Sequence, residues 1–184
     1  MLYGARASFQ SIPGGTPGVR ATLKTMVKIA RDFLRPATHD YDAIQSLLLV
    51  RIASQRCVQH CREKDYVAEV AALHRFVRDE IRYTMDHLTC DTLQYPDKTL
   101  QLKSGDCDDK SLLLCAMAHC IGYPSRLCAI AVDGDDCFTH VSAQILVAGV
   151  GWTNAETIPI DDDGTKVDLG WFPPDATNVL MAHI

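Results

Sequence analysis

Apolar residues in the first half of the chain recur every three to four positions, which is the period of an α-helix. This pattern predicts a first helix over Thr22–Leu34, which Pro36 ends. A second helix follows Asp40, and a third follows Asp65 and runs to Ile81, because an aspartate can cap the first turn of a helix. We therefore expect the N-terminal part of the chain to be helical.

After residue 124 the pattern changes to the period of two that is typical of β-strands. Three segments alternate in this way: Arg126–Val132, Phe138–Leu146 and Trp152–Ile158. The stretch from Arg82 to Leu102 is irregular and polar, which is typical of the wall of a substrate cleft. Helices followed by consecutive strands predict an α+β fold with an antiparallel sheet.

The first twenty residues differ from the rest because glycine and proline are concentrated between positions 13 and 18. This composition predicts a flexible N-terminal arm over residues 1–20. Residues 21–184 contain no internal repeat and no linker, and 47% of the 184 residues are hydrophobic. That content is sufficient for one compact core, so we expect a single domain over residues 21–184.

One cysteine stands at the predicted start of a helix. Gly105 and Asp106 supply a turn and a cap just before Cys107, and the apolar helical pattern after it ends at Gly122. A thiol at this position points at unpaired backbone N–H groups and at the positive end of the helix dipole, which both favour the nucleophilic thiolate. The aspartates beside Cys107 raise the thiol pKa, so activation requires a cationic partner.

Histidine and a carboxylate follow on the next two strands. The order Cys107, His140, Glu156 is that of a Cys–His–acid hydrolase. An imidazolium at His140 would stabilise a thiolate, and we expect it to bring the pKa of Cys107 well below the ~8.5 of free cysteine. Asn154 is the next candidate for orienting the imidazole should Glu156 not serve.

The turn between these two strands decides whether the histidine and the carboxylate share a face. A three-residue turn over Val147–Gly149, with its glycine in the left-handed conformation, would pair Leu146 with Val150. His140 would then lie directly opposite Glu156 on one face of the hairpin. A turn of four residues would place them on opposite faces.

With these residues in place, the chain resembles the transglutaminase-like, papain-related cysteine hydrolases, in the compact form that tailed bacteriophages and prophages encode. The segments that carry the resemblance are Phe76–Asp79, Ile81–Tyr83, Leu93–Pro96, Gly105–Asp109, Phe138 with His140 and Val141, and Trp152–Thr157. By this resemblance the nucleophile is Cys107, the general base is His140, and the orienting acid is Glu156. Most relatives have aspartate at the last of these positions.

The resemblance implies a papain-like fold, in which the nucleophile helix packs on the antiparallel sheet. It implies a cysteine hydrolase that acts on amide or peptide bonds of a protein or peptide substrate, without a cofactor, and Gln94 would donate to the oxyanion. Two alternatives stay open. An amine acceptor would make the chain a transglutaminase, and a phage structural or assembly protein could keep the fold without catalysis, with tail or virion proteins as partners.

Charge and hydropathy argue against two classes of function. A net charge of −5 and a pI near 5.7 do not suit nucleic-acid binding, which requires clustered lysine and arginine. The sequence has no run of about 18 apolar residues, so it predicts no membrane-spanning helix. No apolar leader follows Met1, so we expect no secretory signal and a location in the host cytoplasm or in the virion.

The cysteines predict neither a disulfide framework nor a complete metal site. The chain has eight, at irregular spacings, and Cys115, Cys120 and Cys128 fall on apolar faces where thiols pack. Cys57 and Cys61 lie one helical turn apart and could form half of a metal site, but no second pair completes it. We therefore expect no bound metal.

Two further polar features are interpreted as structural. His74 lies within the apolar stripe of the third helix and is expected at the edge of the core. The segment Asp161–Gly164 is similar to part of a calcium loop, but the later glutamate is missing, so it is interpreted as a turn.

Overall fold

The computed structural model describes residues 8–9, 16–85, 92–132, 138–158 and 164–184. Its helices are α1 (Thr16–Leu34), α2 (Tyr41–Val58), α3 (Tyr66–Glu80), α4 (Pro96–Leu102) and α5 (Cys107–Cys120). Its strands are β1 (Ser8–Phe9), β2 (Arg82–Tyr83), β3 (Thr92–Leu93), β4 (Ser104–Gly105), β5 (Ser125–Val132), β6 (Phe138–Val147), β7 (Gly151–Ala155) and β8 (Ala176–His183).

The long strands form one antiparallel sheet in the order β7-β6-β5-β8. Strand β5 lies in the middle, where Arg126 pairs with Gln144 of β6 on one side and with His183 of β8 on the other. The short strands form two separate pairs, β1 with β3 and β2 with β4. The second pair is parallel and holds the chain that leads into α5.

Helix α5 occupies the centre of the molecule. Every residue from Asp109 to Ala118 is buried, and the apolar members of this run belong to the main core. A helix that is apolar on all sides is stable only when other elements surround it. Helices α1, α2, α3 and α4 and strands β5 and β6 all contact α5, which confirms the predicted α+β fold with the Cys107 helix packed on an antiparallel sheet.

The helix starts follow the capping residues in the sequence. The side chains of Asp40, Asp65 and Asp106 each accept a hydrogen bond of 3.1 Å from a backbone N–H in the first turn of α2, α3 and α5. These bonds satisfy amide groups that a helix cannot pair internally. The three predicted caps are confirmed.

Two elements of the N-terminal half differ from the prediction. Helix α1 begins at Thr16, within the segment that composition assigned to a flexible arm, because a proline in the first turn needs no N–H acceptor. The described residues between Arg82 and Leu102 contain β2, β3 and α4, where no regular element was predicted. Helix α4 has 7 residues and starts at Pro96, so it is too short to show a helical period in the sequence.

Strand β8 was not predicted, and two predicted features lie mostly outside the described residues. β8 adds the fourth strand to the sheet beside β5. All but the last residue of the turn expected at Asp161–Gly164, and most of the expected arm, fall in the segments that the structure does not describe. The arm and the single domain over 21–184 stay predictions.

The register of the β6–β7 hairpin corrects the prediction. The three-residue loop is Ala148–Val150, so Val147 pairs with Gly151 and Gln144 pairs with Asn154. The predicted pairings of Leu146 with Val150 and of His140 with Glu156 are wrong, because a second glycine at 151 also takes a positive φ of 105° and lets the chain turn one residue later. The loop moves by one residue on both strands, so each side chain keeps its predicted face.

Candidate active site

Cys107 is the first residue of α5, at the point where β4 meets the helix. Asp106 caps the helix immediately before it. Gly105 approaches the helix so closely that a Cβ at this position would lie 2.6 Å from the Cβ of Asp109. Only glycine fits there without displacing the first turn of α5. This close approach explains why a glycine precedes the capping Asp106.

The surroundings of Cys107 keep its thiol protonated. Burial raises its pKa well above the ordinary value, and the charges of Asp108 and Asp106 raise it further. The Sγ atom lies 3.6 Å from Oδ1 of Asp108. A backbone hydrogen bond with Val141 acts in the opposite direction but is outweighed. The expectation of a depressed pKa at Cys107 is therefore wrong for this arrangement, because the sequence could not give the degree of burial.

His140 on β6 and Glu156, just beyond β7, are in direct contact. The Nε2 atom of His140 lies 2.5 Å from Oε2 of Glu156, whose side chain is 5% exposed. The other carboxylate oxygen, Oε1, accepts 2.8 Å bonds from the backbone N–H groups of Thr157 and Ile158. Every oxygen of this carboxylate therefore has a hydrogen-bond partner, and its orientation is fixed.

Glu156 also makes His140 a stronger base. Burial lowers the pKa of His140, but the hydrogen bond and the charge of Glu156, together with the charge of Asp108, outweigh burial and raise it. Asp108 thus acts on both groups, since it favours the protonated thiol of Cys107 and the protonated ring of His140.

Helix α5 and strand β6 bring Cys107 and His140 to the same end of the sheet. Ser111 donates a 3.1 Å hydrogen bond to the carbonyl of Val141, the residue that also contacts Cys107. No hydrogen bond joins Cys107 Sγ to the ring of His140, although both residues lie in the described part of the chain. The bond to Glu156 uses Nε2 and leaves Nδ1 of His140 for another partner.

Gln94 is anchored to the first turn of α5. Its backbone N–H and its Nε2 donate to the two oxygens of Asp109, at 2.8 and 2.7 Å. Because a carboxylate cannot donate, the side-chain amide must present Nε2 to Asp109, which leaves Oε1 buried without a partner. The structure thus places Gln94 against Asp109, two residues after Cys107. The side chain of Gln94 makes no hydrogen bond to the Cys107 thiol.

Two buried polar residues near the site were not recognised from the sequence. His74, expected at the core edge, is 1% exposed, and its Nε2 donates to the backbone carbonyl of Glu156. Lys110 is also 1% exposed, and its Nζ donates to the carbonyl of Ile81 at 2.8 Å. A lysine directly before Ser111 and the apolar run Leu112–Ala118 was the available signal, since a buried ammonium requires acceptors.

Asn154 does not take part in orienting His140. Its side-chain oxygen accepts a 2.5 Å bond from Gln144, which in turn accepts from Arg126 at 2.7 Å. The guanidinium of Arg126 lies 4.2 Å from the ring centre of Trp152. This row of side chains lies further along the hairpin from the His140–Glu156 pair.

Within the described ranges, no three side chains of His, Cys, Asp or Glu come together as ligands for a metal ion, and Cys57 and Cys61 are free thiols. None of the described helices is both long and apolar enough to cross a membrane.

Comparison with known proteins supports this fold. A family model of the transglutaminase-like superfamily matches residues 51–157, the segment that contains Cys107, His140 and Glu156. Comparison with curated protein sequences finds no significant match.

Two solved structures are similar. A putative protease from Parabacteroides distasonis has a TM-score of 0.55 at 12% identity, over 93% of this chain and 41% of that one. A putative cysteine protease from Cytophaga hutchinsonii has a TM-score of 0.48 at 15% identity, over 84% of this chain and 56% of that one. The chain therefore spans about half the length of these proteins or less. The family match covers more than half of the chain, and the chain belongs to the transglutaminase-like superfamily.

Proposed function

We propose that the chain is a cysteine hydrolase that cleaves amide or peptide bonds. In this proposal Cys107 is the nucleophile, His140 is the general base and acid, and Glu156 orients His140. The observation that carries the proposal is the 2.5 Å hydrogen bond between His140 and Glu156. The residue that follows His140 on β6, Val141, contacts Cys107 through its backbone. Membership of the superfamily and the fold of the Parabacteroides protease agree with it.

The reaction begins with a thiol that carries its proton. Because burial and the aspartates raise the pKa of Cys107, the proton passes to Nδ1 of His140 only as the sulfur attacks the substrate carbonyl carbon. The imidazolium that results is stabilised by the carboxylate of Glu156. His140 then protonates the leaving amine, and the C–N bond breaks to give a thioester on Cys107.

Water completes the cycle. His140, neutral again, removes a proton from water as the water oxygen attacks the thioester carbonyl. The C–S bond breaks, the thiol regains its proton from His140, and a carboxylic acid leaves. No group beyond the side chains and water is required for the balance of atoms and charges.

The oxyanion that forms in each step needs hydrogen-bond donors. The backbone N–H of Cys107 is the first of helix α5 and has no acceptor within the helix, so it is one donor. The second is the side-chain amide of Gln94. One of its two N–H groups is bound to Asp109, which fixes the amide plane and leaves the other N–H for the substrate.

The test is to trap the thioester on Cys107. We expect p-nitrophenyl acetate to acetylate the wild-type protein at Cys107, as mass spectrometry of the intact chain and its peptides would show. Cys107→Ala should not be acetylated and should not hydrolyse casein. Cys115→Ala is the matched control, since it removes a buried thiol from the same helix. Acetylation of another cysteine, or casein hydrolysis by Cys107→Ala, would contradict the proposal.

The same assay separates the two alternatives. Incorporation of dansylcadaverine into casein faster than casein is hydrolysed would identify an amine-accepting transglutaminase. A wild-type protein that forms no acyl-enzyme and cleaves no peptide bond would support the non-catalytic assembly protein. The bacteriophage origin, and a place in the host cytoplasm or the virion, stay predictions from the sequence.

A further inference from the structure

A buried histidine on α3 contacts the backbone of the residue whose carboxylate binds His140. His74 lies between Leu73 and Val77 on a helix face that is otherwise apolar, and it is 1% exposed. A buried imidazole is costly unless its polar atoms are bonded. Nε2 of His74 bonds to the backbone carbonyl of Glu156, and because that acceptor is an oxygen, Nε2 must carry the hydrogen.

The carbonyl that accepts this bond lies where the sheet ends. Strand β7 ends at Ala155, so the carbonyl of Glu156 is beyond the paired ladder. His74 supplies the donor that a neighbouring strand would otherwise supply. Glu156 is thereby fixed at its carboxylate by His140, Thr157 and Ile158, and at its backbone by His74.

Helix α3 also holds the helix that carries Cys107. Lys110, in the first turn of α5, donates to the carbonyl of Ile81 at 2.8 Å and to that of Arg78 at 3.4 Å. These carbonyls lie at the C-terminal end of α3, where lysine side chains bind favourably. One helix therefore contacts the start of α5 through Lys110 and the backbone of Glu156 through His74.

We propose that His74 is a positioning residue that holds Glu156, and through Glu156 the ring of His140, at the distance that the reaction needs. The inference rests on the proposed function of the Cys107 site. Loss of the His74 bond would leave the Glu156 carbonyl unpaired and let the end of β7 move. Displacements of about 1 Å in a catalytic group are sufficient to slow a reaction strongly.

Burial keeps the ring of His74 neutral. Burial lowers the pKa of His74, and Arg78 on the same helix lowers it as well, against the raising effects of the Glu156 carbonyl bond, the Glu156 charge and Asp79. The neutral ring with hydrogen on Nε2 is therefore the form that binds Glu156 at neutral pH. Around His140 the charged groups are Glu156 and Asp108.

The experiment compares His74→Met with His74→Gln in the full chain. Methionine keeps the apolar volume and removes the donor, whereas the glutamine amide can present an N–H close to the position of Nε2. Val77→Ala is the matched control, because it removes buried volume from the same helix and leaves the bond in place. Two quantities are measured: the pKa of His140, from an NMR titration of its ring protons, and kcat and KM for casein peptides.

In His74→Met we expect the pKa of His140 to fall by roughly half a unit or more, because Glu156 is no longer held against Nε2. We expect kcat to fall about tenfold with little change in KM. His74→Gln should restore most of the His140 pKa and most of kcat. Val77→Ala should change neither quantity, even if its melting temperature falls as far as that of His74→Met. An unchanged His140 titration in His74→Met, or an equal shift in Val77→Ala, would overturn the inference.

A second pair of variants keeps the test decisive if His74→Met does not fold. Asparagine is too short to reach the Glu156 carbonyl, so His74→Asn should shift the His140 titration more than His74→Gln. Equal shifts would refute a role for the bond. The titration requires no turnover, so an inactive wild-type protein in which His74→Met still shifts His140 would contradict the proposed function and leave the positioning role standing.

Discussion

Replacement of Lys110 with methionine should remove a pH dependence that this lysine gives to the stability of the fold. The lysine side chain is 1% exposed, and burial lowers its pKa from 10.5 to about 8. The folded chain therefore binds fewer protons than the unfolded chain between about pH 8 and pH 10.5, and its stability rises with pH across that window. Below about pH 8 both states are protonated, and the folded state carries the full cost of the buried charge.

The size of this effect follows from the difference between the two pKa values. Each unit corresponds to about 1.4 kcal/mol, so the shift from 10.5 to about 8 gives a rise of the order of 3 kcal/mol. At pH 7 the methionine variant loses the donors to two carbonyls, at about 1–3 kcal/mol each, and gains the relief of a buried charge. These terms nearly offset, so the slope against pH is more informative than the value at one pH.

The assay is unfolding by guanidinium chloride, followed by circular dichroism under reducing conditions at several pH values from 7 to about 10.5. Wild type minus Lys110→Met gives the contribution of the lysine alone, because the other titrating groups are common to both proteins. Lys24→Met, at an exposed position of α1, is the control and should follow the wild-type curve. Parallel curves for wild type and Lys110→Met would refute the reasoning.

Substitutions at three further positions test the site itself. Glu156→Gln should lower the pKa of His140, and it should lower the rate of hydrolysis by about 10- to 100-fold. Glu156→Asp should lower the rate less, because it keeps the negative charge. A Glu156→Gln variant that hydrolyses at the full rate would remove this residue from the triad. Asp108→Asn should lower the pKa of Cys107, so alkylation by iodoacetamide at a fixed pH should become faster than in wild type, and an unchanged rate would show that the carboxylate has no influence. Gly105→Ala should destabilise the fold by about 1–3 kcal/mol, seen as a lower melting temperature, because its Cβ would meet the helix at 2.6 Å; an unchanged melting temperature would show that the first turn adapts.

The helix starts and the side-chain faces of the site hairpin could be predicted because they depend on local chemistry. An aspartate before an apolar helical run caps that run wherever the rest of the chain lies, as at Asp40, Asp65 and Asp106. His140 and Glu156 could be assigned to one side of the hairpin because strand side chains alternate with a period of two, and an even shift in the register keeps that alternation. The two side chains are in contact although Glu156 lies one residue beyond β7.

The features that the sequence did not predict depend on distant parts of the chain. Strand β8 is paired to β5 across roughly fifty residues, and α4 is too short to carry a period. The high pKa of Cys107 comes chiefly from burial, which no flanking residue determines. The contact of His74 with Glu156 joins residues 82 positions apart, and an isolated histidine in an apolar stripe gives no sign of it.

Strand β5 separates β8 from β6 and β7, and the backbone hydrogen bonds on its two sides should differ in stability. Strand β8 leaves most of its side chains exposed and pairs only with β5 among the described strands, so its backbone hydrogen bonds should open at a lower free energy than those of β6. In a hydrogen-exchange experiment the amides of β8 would then exchange with solvent before those of β6. Because His140 and Glu156 lie on the other side of β5, we expect opening of the sheet at β8 to leave their hydrogen bond in place.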